Sequence, residues 1–464
     1  MSASIDTSEC VVAPDQLGPC LEQLALFAAR YTPCLADCRQ RPHAVTYLEG
    51  LLSDLPRKTA EPIATAHDQE RRGLQRFVGD GKFDDALLVG ELQAHVAEEI
   101  GDPAGILIID PSCFAKKGTE SVGVARQWNG RLGKVDNCQK AVLLGYASPL
   151  GAAIVDRALY LPKEEWADDA ARRAKCHVPS EVVFRNAWEL GLDLVDRAKL
   201  PYAWIVADDE YGRPAEFRAE LRKRGKRYAI DIPSNTLVRL VHEVPPKRRG
   251  PGRPPGRAAR RVSDVARARK SGAWVRVFVR DGTKEPHYVL ATCVDVETRL
   301  DAAFGPRERL VIVKSIGSKP EYRYAITNAE SSEIAIGAVV RALATRHIIE
   351  DLIQRAKGEA GLAHYEVRSW VGWHHHMTFS LLAAWFLELE HQRLGEKNCV
   401  HDAPADRARL GVAPSESRRE SSRARESAHK TAHPKRRVAN PTLEPARAPR
   451  AARAEDAGYV LERR

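Results

Sequence analysis

Long apolar runs are missing from this 464-residue sequence: none reaches the roughly 18 to 20 residues that a membrane-spanning helix requires. The opening MSASIDTSEC has neither the basic start nor the apolar stretch of a secretory signal. Both absences point to a cytoplasmic chain with no place in a membrane. Cysteines at disulfide or zinc spacing are lacking as well, since nine of them, an odd number, are scattered along the chain. They read as reduced thiols. Cys34 and Cys38 are close in sequence, but no second pair stands at metal spacing, so they are expected as ordinary buried helix positions. No internal repeat of a solenoid or propeller is evident.

What is present is a globular composition, with 44% hydrophobic and 29% charged residues, enough for two or three domains. The net charge of +10 and pI near 9.1 favour a polyanionic partner. The excess is unevenly placed. Residues 401–464 hold 15 Lys/Arg against 9 Asp/Glu, and residues 245–261 hold seven basic residues and no acidic one.

Residues 1–100 carry helical apolar spacing, as in LEQLALFAARY and FDDALLVGELQAHVAEEI, and predict a helical N-terminal domain. From Gly105 the pattern turns to short apolar runs, GILIID, KAVLLGYAS, AAIVDRALYLP, YAWIVAD and RYAIDIP, with helical stretches between the later ones. Three strands in meander followed by strands alternating with helices predict an α/β fold: a ribonuclease-H-like mixed sheet flanked by helices. Residues 101–233 form its first part. Residues 234–330 predict a β-rich insertion that opens with the Pro/Gly/Arg loop PPKRRGPGRPPGRAARR, and residues 331–397 the last helices of the core. Residues 398–464, rich in Ala, Arg, Ser, Pro and Glu, predict a disordered basic tail.

Three acids stand where chemistry would need them. Asp110 ends the run GILIID, Asp208 ends YAWIVAD, and Glu350 lies in the helical stretch RHIIEDLIQRAK. Carboxylates brought together from separate elements can share two divalent cations, the requirement of two-metal phosphodiester chemistry. Taken singly, each Asp could equally cap a turn or helix. Arg346, Glu350 and Lys357, at offsets of 4 and 7, share one helix face, suited to gripping phosphate beside a metal ligand or to a solvated ion pair. Lys116, Lys117, Arg131 and Lys134 sit among glycines after the first acid, as DNA contacts or as a solvated hairpin. Arg249, Arg253 and Arg257 lie in a Gly-Arg-Pro loop similar to an AT-hook, able to enter a narrow minor groove or to touch phosphates non-specifically. His374, His375 and His376 diverge by about 100° each on a helix and so cannot easily share one ion. Trp370 and Trp373 could stack on a flipped base, though packing suits them equally.

The segments DPSCFAKKGTESVGVARQWNGRLGKVDNCQ, ADDEYG and RHIIEDLIQRAKGEAGLAHYEVRSWVGWHHH resemble the successive motif regions of bacterial insertion-sequence DDE transposases, in the branch with a Tyr-Arg-Glu-Lys signature. The similarity runs over roughly residues 25–397. It implies that Asp110, Asp208 and Glu350 are catalytic and hold two Mg²⁺ or Mn²⁺ ions, and that Arg346 and Lys357 are the signature cations. The signature tyrosine falls on Leu343, and Asp209 adjoins Asp208, so the second acid could be either. The resemblance further implies cut-and-paste transposition: cleavage at the inverted repeats of an element, strand transfer into double-stranded target DNA, end binding by the helical domain, and a homo-oligomer. A DNA-binding remnant and a ribonuclease-H-like nuclease with other substrates are the alternative readings.

Overall fold

A computed structural model describes residues 14–394, except 131, 245–257, 281–285 and 301–302. The expected tail and the Gly-Arg-Pro loop with Arg249, Arg253 and Arg257 lie outside the described residues, as does Arg131.

The chain begins with helices α1 (Pro14–Tyr31), α2 (Arg41–Leu52), α3 (Ala60–Ala66), α4 (Arg71–Asp80) and α5 (Asp85–Ile100). Cys34 and Cys38 fall in two separate 3-10 turns between α1 and α2, not on one helix as expected, and Cys38 is exposed. The sheet then opens with β1 (Ile106–Ala115), β2 (Ala125–Asn129), β3 (Lys134–Ser148) and β4 (Gly151–Leu159). After α6 (Ala170–Lys175) and α7 (Ala187–Arg197) come β5 (Trp204–Ala207), α8 (Asp209–Gly212), α9 (Ala215–Lys223) and β6 (Tyr228–Asp231). Then follow β7 (Leu237–Leu240), β8 (Arg260–Arg261), α10 (Val262–Arg267), β9 (Val275–Arg280), β10 (His287–Leu300), β11 (Ala303–Ser315) and β12 (Tyr322–Thr327). The chain closes on α11 (Ile336–Ala344), α12 (Arg346–Gly358) and α13 (Trp370–Leu394).

The fold is mixed α/β, built on one large mixed sheet with helices packed on it. β1 pairs antiparallel with β3 and parallel with β5, and β5 pairs parallel with β6. The three parallel strands are nearly continuous apolar runs, as strands covered on both faces must be. β6 would leave an open edge. β12 covers it antiparallel, and β11 and β10 follow, so the β-rich stretch continues the same sheet.

Helices α5, α7, α12 and α13 pack against β1, β3 and β4. α13 is apolar on every side and correspondingly buried along its middle, with Trp373, Met377, Leu381, Leu382 and Trp385 all inside. The N-terminal helices pack around it: Tyr47 on α2 is hydrogen-bonded to His376 at 2.7 Å, and Phe27 on α1 meets Phe386 edge-on. Arg157 on β4, fully buried, donates to Thr378 of α13 at 2.7 Å and pairs with Asp85 of α5 and with Asp156, tying three elements at one charged point. Among the described residues no helix is long and apolar enough to cross a membrane.

Candidate active site

The cleft opens where the parallel strands stop. β5 pairs with β1 only as far as Ala207 opposite Ile109, whereas β1 runs on to Ala115. Asp110 therefore lies inside β1, not at its end as the sequence pattern suggested. It is nevertheless the first β1 residue without a parallel neighbour, and that frees its side chain toward the gap. Open α/β sheets place their ligands beyond the carboxyl ends of their strands for this reason.

Asp208 follows β5 directly and caps α8, accepting from the backbone N–H of Glu210 at 3.0 Å and Tyr211 at 3.4 Å. Capping and facing the cleft are thus compatible in one side chain. Asp209 instead pairs with Arg213 one turn on, at 2.6 Å. The motif Tyr211-Gly212 has a physical basis: Tyr211 is buried beneath α8, and a Cβ on Gly212 would collide with the carbonyl of Asp231 at the end of β6.

Glu350 comes from α12. The helical stretch around it is broken at Thr345, which ends α11, so that Arg346 begins α12 and reaches back to the sheet. Its Nη1 lies 3.2 Å from Asp110 Oδ1 and 2.8 Å from Glu350 Oε1. Its Nε lies 3.4 Å from Asp231 Oδ2, an ion pair without hydrogen-bond geometry. One guanidinium thus joins three carboxylates. Asp231 also accepts from Arg323 Nε at 2.8 Å and Nη2 at 2.5 Å.

Asp110, Asp208, Asp231, Arg346, Glu350 and Lys357 all line one cavity of about 1590 Å³. Burial, then the charges of Asp208 and Glu350, push the Asp110 carboxyl up to about 8, although Arg346 opposes them. Burial and Glu210 push Asp208 up to about 6. Burial works against the Arg346 charge, but Asp231, Glu350, Asp110 and Asp208 outweigh it and hold the guanidinium pKa above its ordinary value. Carboxylates crowded into a buried cleft are the hard oxygen donors that a divalent cation takes. Among the described residues, no three acidic, histidine or cysteine side chains already stand close enough to hold an ion. The Arg346 guanidinium lies among the acids.

The other cations expected from sequence divide. Lys357 donates to the Cys113 carbonyl at 3.0 Å at the cleft wall. Lys116 does not face outward: its ammonium sits 3.2 Å from the Tyr365 ring centroid, and burial pulls its pKa down to about 7. It is a packing residue, because Tyr365 offers it both a ring face and a carbonyl. Lys117 and Lys134 are exposed. The three histidines are interior and neutral: burial lowers His374 and His376 to about 3 and His375 to about 4, and His375 stacks on Phe83. Trp373 is core, and Trp370 is partly buried beside His374.

Sequence reasoning missed Asp231, Arg323 and the Lys140–Glu210 pair, all of which line the cavity. A signal existed for Asp231 alone, since it ends the apolar run RYAID as the other two aspartates end theirs.

A model of the DDE superfamily endonuclease family matches residues 30–286, more than half of the chain. The chain belongs to the DDE superfamily endonucleases. The matched span of this endonuclease contains Asp110 and Asp208 and stops short of Glu350. A curated relative, the probable transposase for insertion sequence element IS701 of Microchaete diplosiphon, is 27% identical over 240 residues. That alignment covers 50% of this chain and 59% of the relative, so the match spans less than two thirds of the relative's length. Among solved structures, the piggyBac transposase synaptic complex with hairpin DNA aligns over 94% of this chain and 80% of its own, at 11% identity and a TM-score of 0.36.

Proposed function

We propose that this endonuclease is a DNA transposase that cuts at the ends of an insertion element and joins them to target DNA. The observation that carries the reading is the meeting of Asp110, Asp208, Glu350 and Arg346 in one cleft of a chain in the DDE endonuclease family. The strand order β4-β3-β1-β5-β6, antiparallel across the first three and parallel across the last three, supports a ribonuclease-H-like core with β7 to β12 as its insertion.

Two divalent cations, Mg²⁺ or Mn²⁺, would be held by Asp110, Asp208 and Glu350, and when bound they supply an activated water and stabilise the leaving oxygen. Asp110 gives up its proton as positive charge replaces it. Arg346, released from Asp110 and Glu350, is then free to take a phosphate oxygen, with Lys357 available on the same helix face. Water attacks the phosphodiester, the bond to the 3′ oxygen breaks, and a free 3′ hydroxyl and a 5′ phosphate remain. That hydroxyl next attacks a target phosphodiester, forming one P–O bond as another breaks. Double-stranded DNA is the partner, with the N-terminal helices, the exposed Lys117 and Lys134, and Arg131, Arg249, Arg253 and Arg257 contributing contacts, and two copies of the chain holding paired ends.

The test uses duplexes carrying the DNA that flanks the gene, incubated with the full chain with and without Mg²⁺. Nicking and strand transfer are expected with the metal. Asp110→Ala, Asp208→Ala and Glu350→Ala should each lower cleavage by roughly 10³-fold or more, the scale of removing preorganised transition-state stabilisation, while binding persists. Full activity in any one of them would remove that residue from the site.

A further inference from the structure

One wall of the cleft carries an exposed tryptophan to which this scheme gives no part. β2 and β3 form a hairpin at the outer edge of the sheet, with Trp128 directly opposite Val135. Trp128 is 60% exposed, Val135 50% and Leu132, at the turn, 47%. Leaving an indole in water forgoes the stabilisation its burial would bring, so a cluster of bare apolar side chains marks a surface that something covers. Trp128, Asn129 and Gly130 line the same cavity as Asp110, Asp208 and Glu350.

A second observation points the same way. Asn129 is only 3% exposed, yet its Oδ1 has no hydrogen-bond partner. A buried amide oxygen left unmatched is uncommon in a folded protein, and a polar ligand in the cleft would complete it. The hairpin is tied to β1, because the Cys113 thiol donates to the Trp128 carbonyl at 3.6 Å, three residues beyond Asp110. Its distance from the acids is therefore set by the sheet. Lys117, Arg126 and Lys134 are exposed nearby and give the surface a positive rim.

We infer that the hairpin holds an unpaired nucleotide of the DNA being cut, its base stacked on the Trp128 indole. Any base offers a π-face to an indole, which makes such a contact tolerant of sequence, and the surrounding cations take the phosphates. Paired DNA covers its base faces by stacking, so the occupant is an end or an unpaired position. Strand alternation turns Trp128 and Asn129 to different sides, so the indole takes the base face and the carboxamide takes a polar atom farther along the same strand. This inference rests on the DNA-cutting reading of the cleft.

The experiment compares a blunt duplex with the same duplex bearing a short single-stranded overhang that contains 2-aminopurine, both bound by the full chain in EDTA. The wild-type chain is expected to bind the overhang more tightly and to quench its fluorescence. Trp128→Ala should lose the preference, about tenfold or more in affinity, together with the quenching, whereas Trp128→Phe keeps most of both. Equal melting temperatures of the three proteins would show that the fold is unchanged, as an exposed side chain predicts. Overhang binding and quenching in Trp128→Ala equal to wild type would overturn the inference. Discrimination of the overhang by a chain that cuts no duplex with Mg²⁺ supports the base site and refutes the proposed function. Cutting without overhang preference refutes the base site alone.

Discussion

Asp110 carries the sharpest consequence at the scale of single residues. Its folded pKa, pushed up to about 8 by burial and by Asp208 and Glu350, exceeds that of an exposed aspartate. The metal-free fold therefore favours the protonated form. That contribution is in place at acid pH and is lost as the pH climbs from about 4 through about 8. Asp110→Asn removes the titration while keeping an acceptor for Arg346. In EDTA it should melt at the same temperature as wild type near about pH 3, below both pKa values, and above it near about pH 8.5, and scanning fluorimetry at the two values checks the sign. The neighbouring aspartates give a second contrast. Asp209 holds only the largely exposed Arg213, a pair worth about 0 to 1 kcal/mol, so Asp209→Asn should leave cleavage within a few-fold, and Asp208→Asn should abolish it. Were the two effects reversed, the second acid would be Asp209. Asp110, Asp208 and Glu350 could be picked out from sequence because apolar runs and motif spacing frame them. Asp231 and Arg323 are joined by pairing of β6 with β12 across 92 positions, which no local pattern records.

At the level of elements, the cleft depends on close approaches that only glycine permits. Gly212 lets α8 press against the end of β6, and Gly145 on β3 makes room for Ile349, the residue before Glu350. The obstacle at Gly212 is backbone, which cannot step aside. Gly212→Ala should cost about 1 to 3 kcal/mol in denaturant unfolding. Because the strain falls on the turn that orients Asp208, cleavage should drop more than stability implies, by roughly 10²-fold for a displacement near an ångström. A stability loss with unchanged turnover would mean that Asp208 does not depend on this approach. Helices were legible where good helix formers and apolar residues run on for several turns without Pro or a turn cluster, as in α5 and α13. The break at Thr345 was not, because the apolar spacing runs on through it, and it is tertiary packing of α11 and α12 on different strands that separates them.

For the whole molecule, β7 to β12 continue the sheet that begins with β1 to β6, so the cleft has a hairpin with Trp128 at one wall and Tyr322 and Tyr324 at another. A sheet of that breadth beside exposed cations suits a long polyanion. DNA affinity should fall steeply with salt, and replacing Arg249, Arg253 and Arg257 together by Ala should flatten the slope of log K against log salt by about 0.9 for each phosphate that these arginines neutralise. An unchanged slope would place that loop away from DNA.

Sequence alone determined the mixed α/β class of the fold and the net positive charge, and it marked Asp110, Asp208 and Glu350 as candidate acids, because composition, local periodicity and short motifs are all readable without tertiary contacts. Tertiary structure alone decided that Arg346 sits among the acids, that Asp231 joins them, that Lys116 is held by Tyr365, and that Trp128 stands exposed on the cleft that Asp110 also lines. The physical reason is the same in each case: charge pairing and burial act through space at a few ångströms, between residues that the chain separates by tens or hundreds of positions.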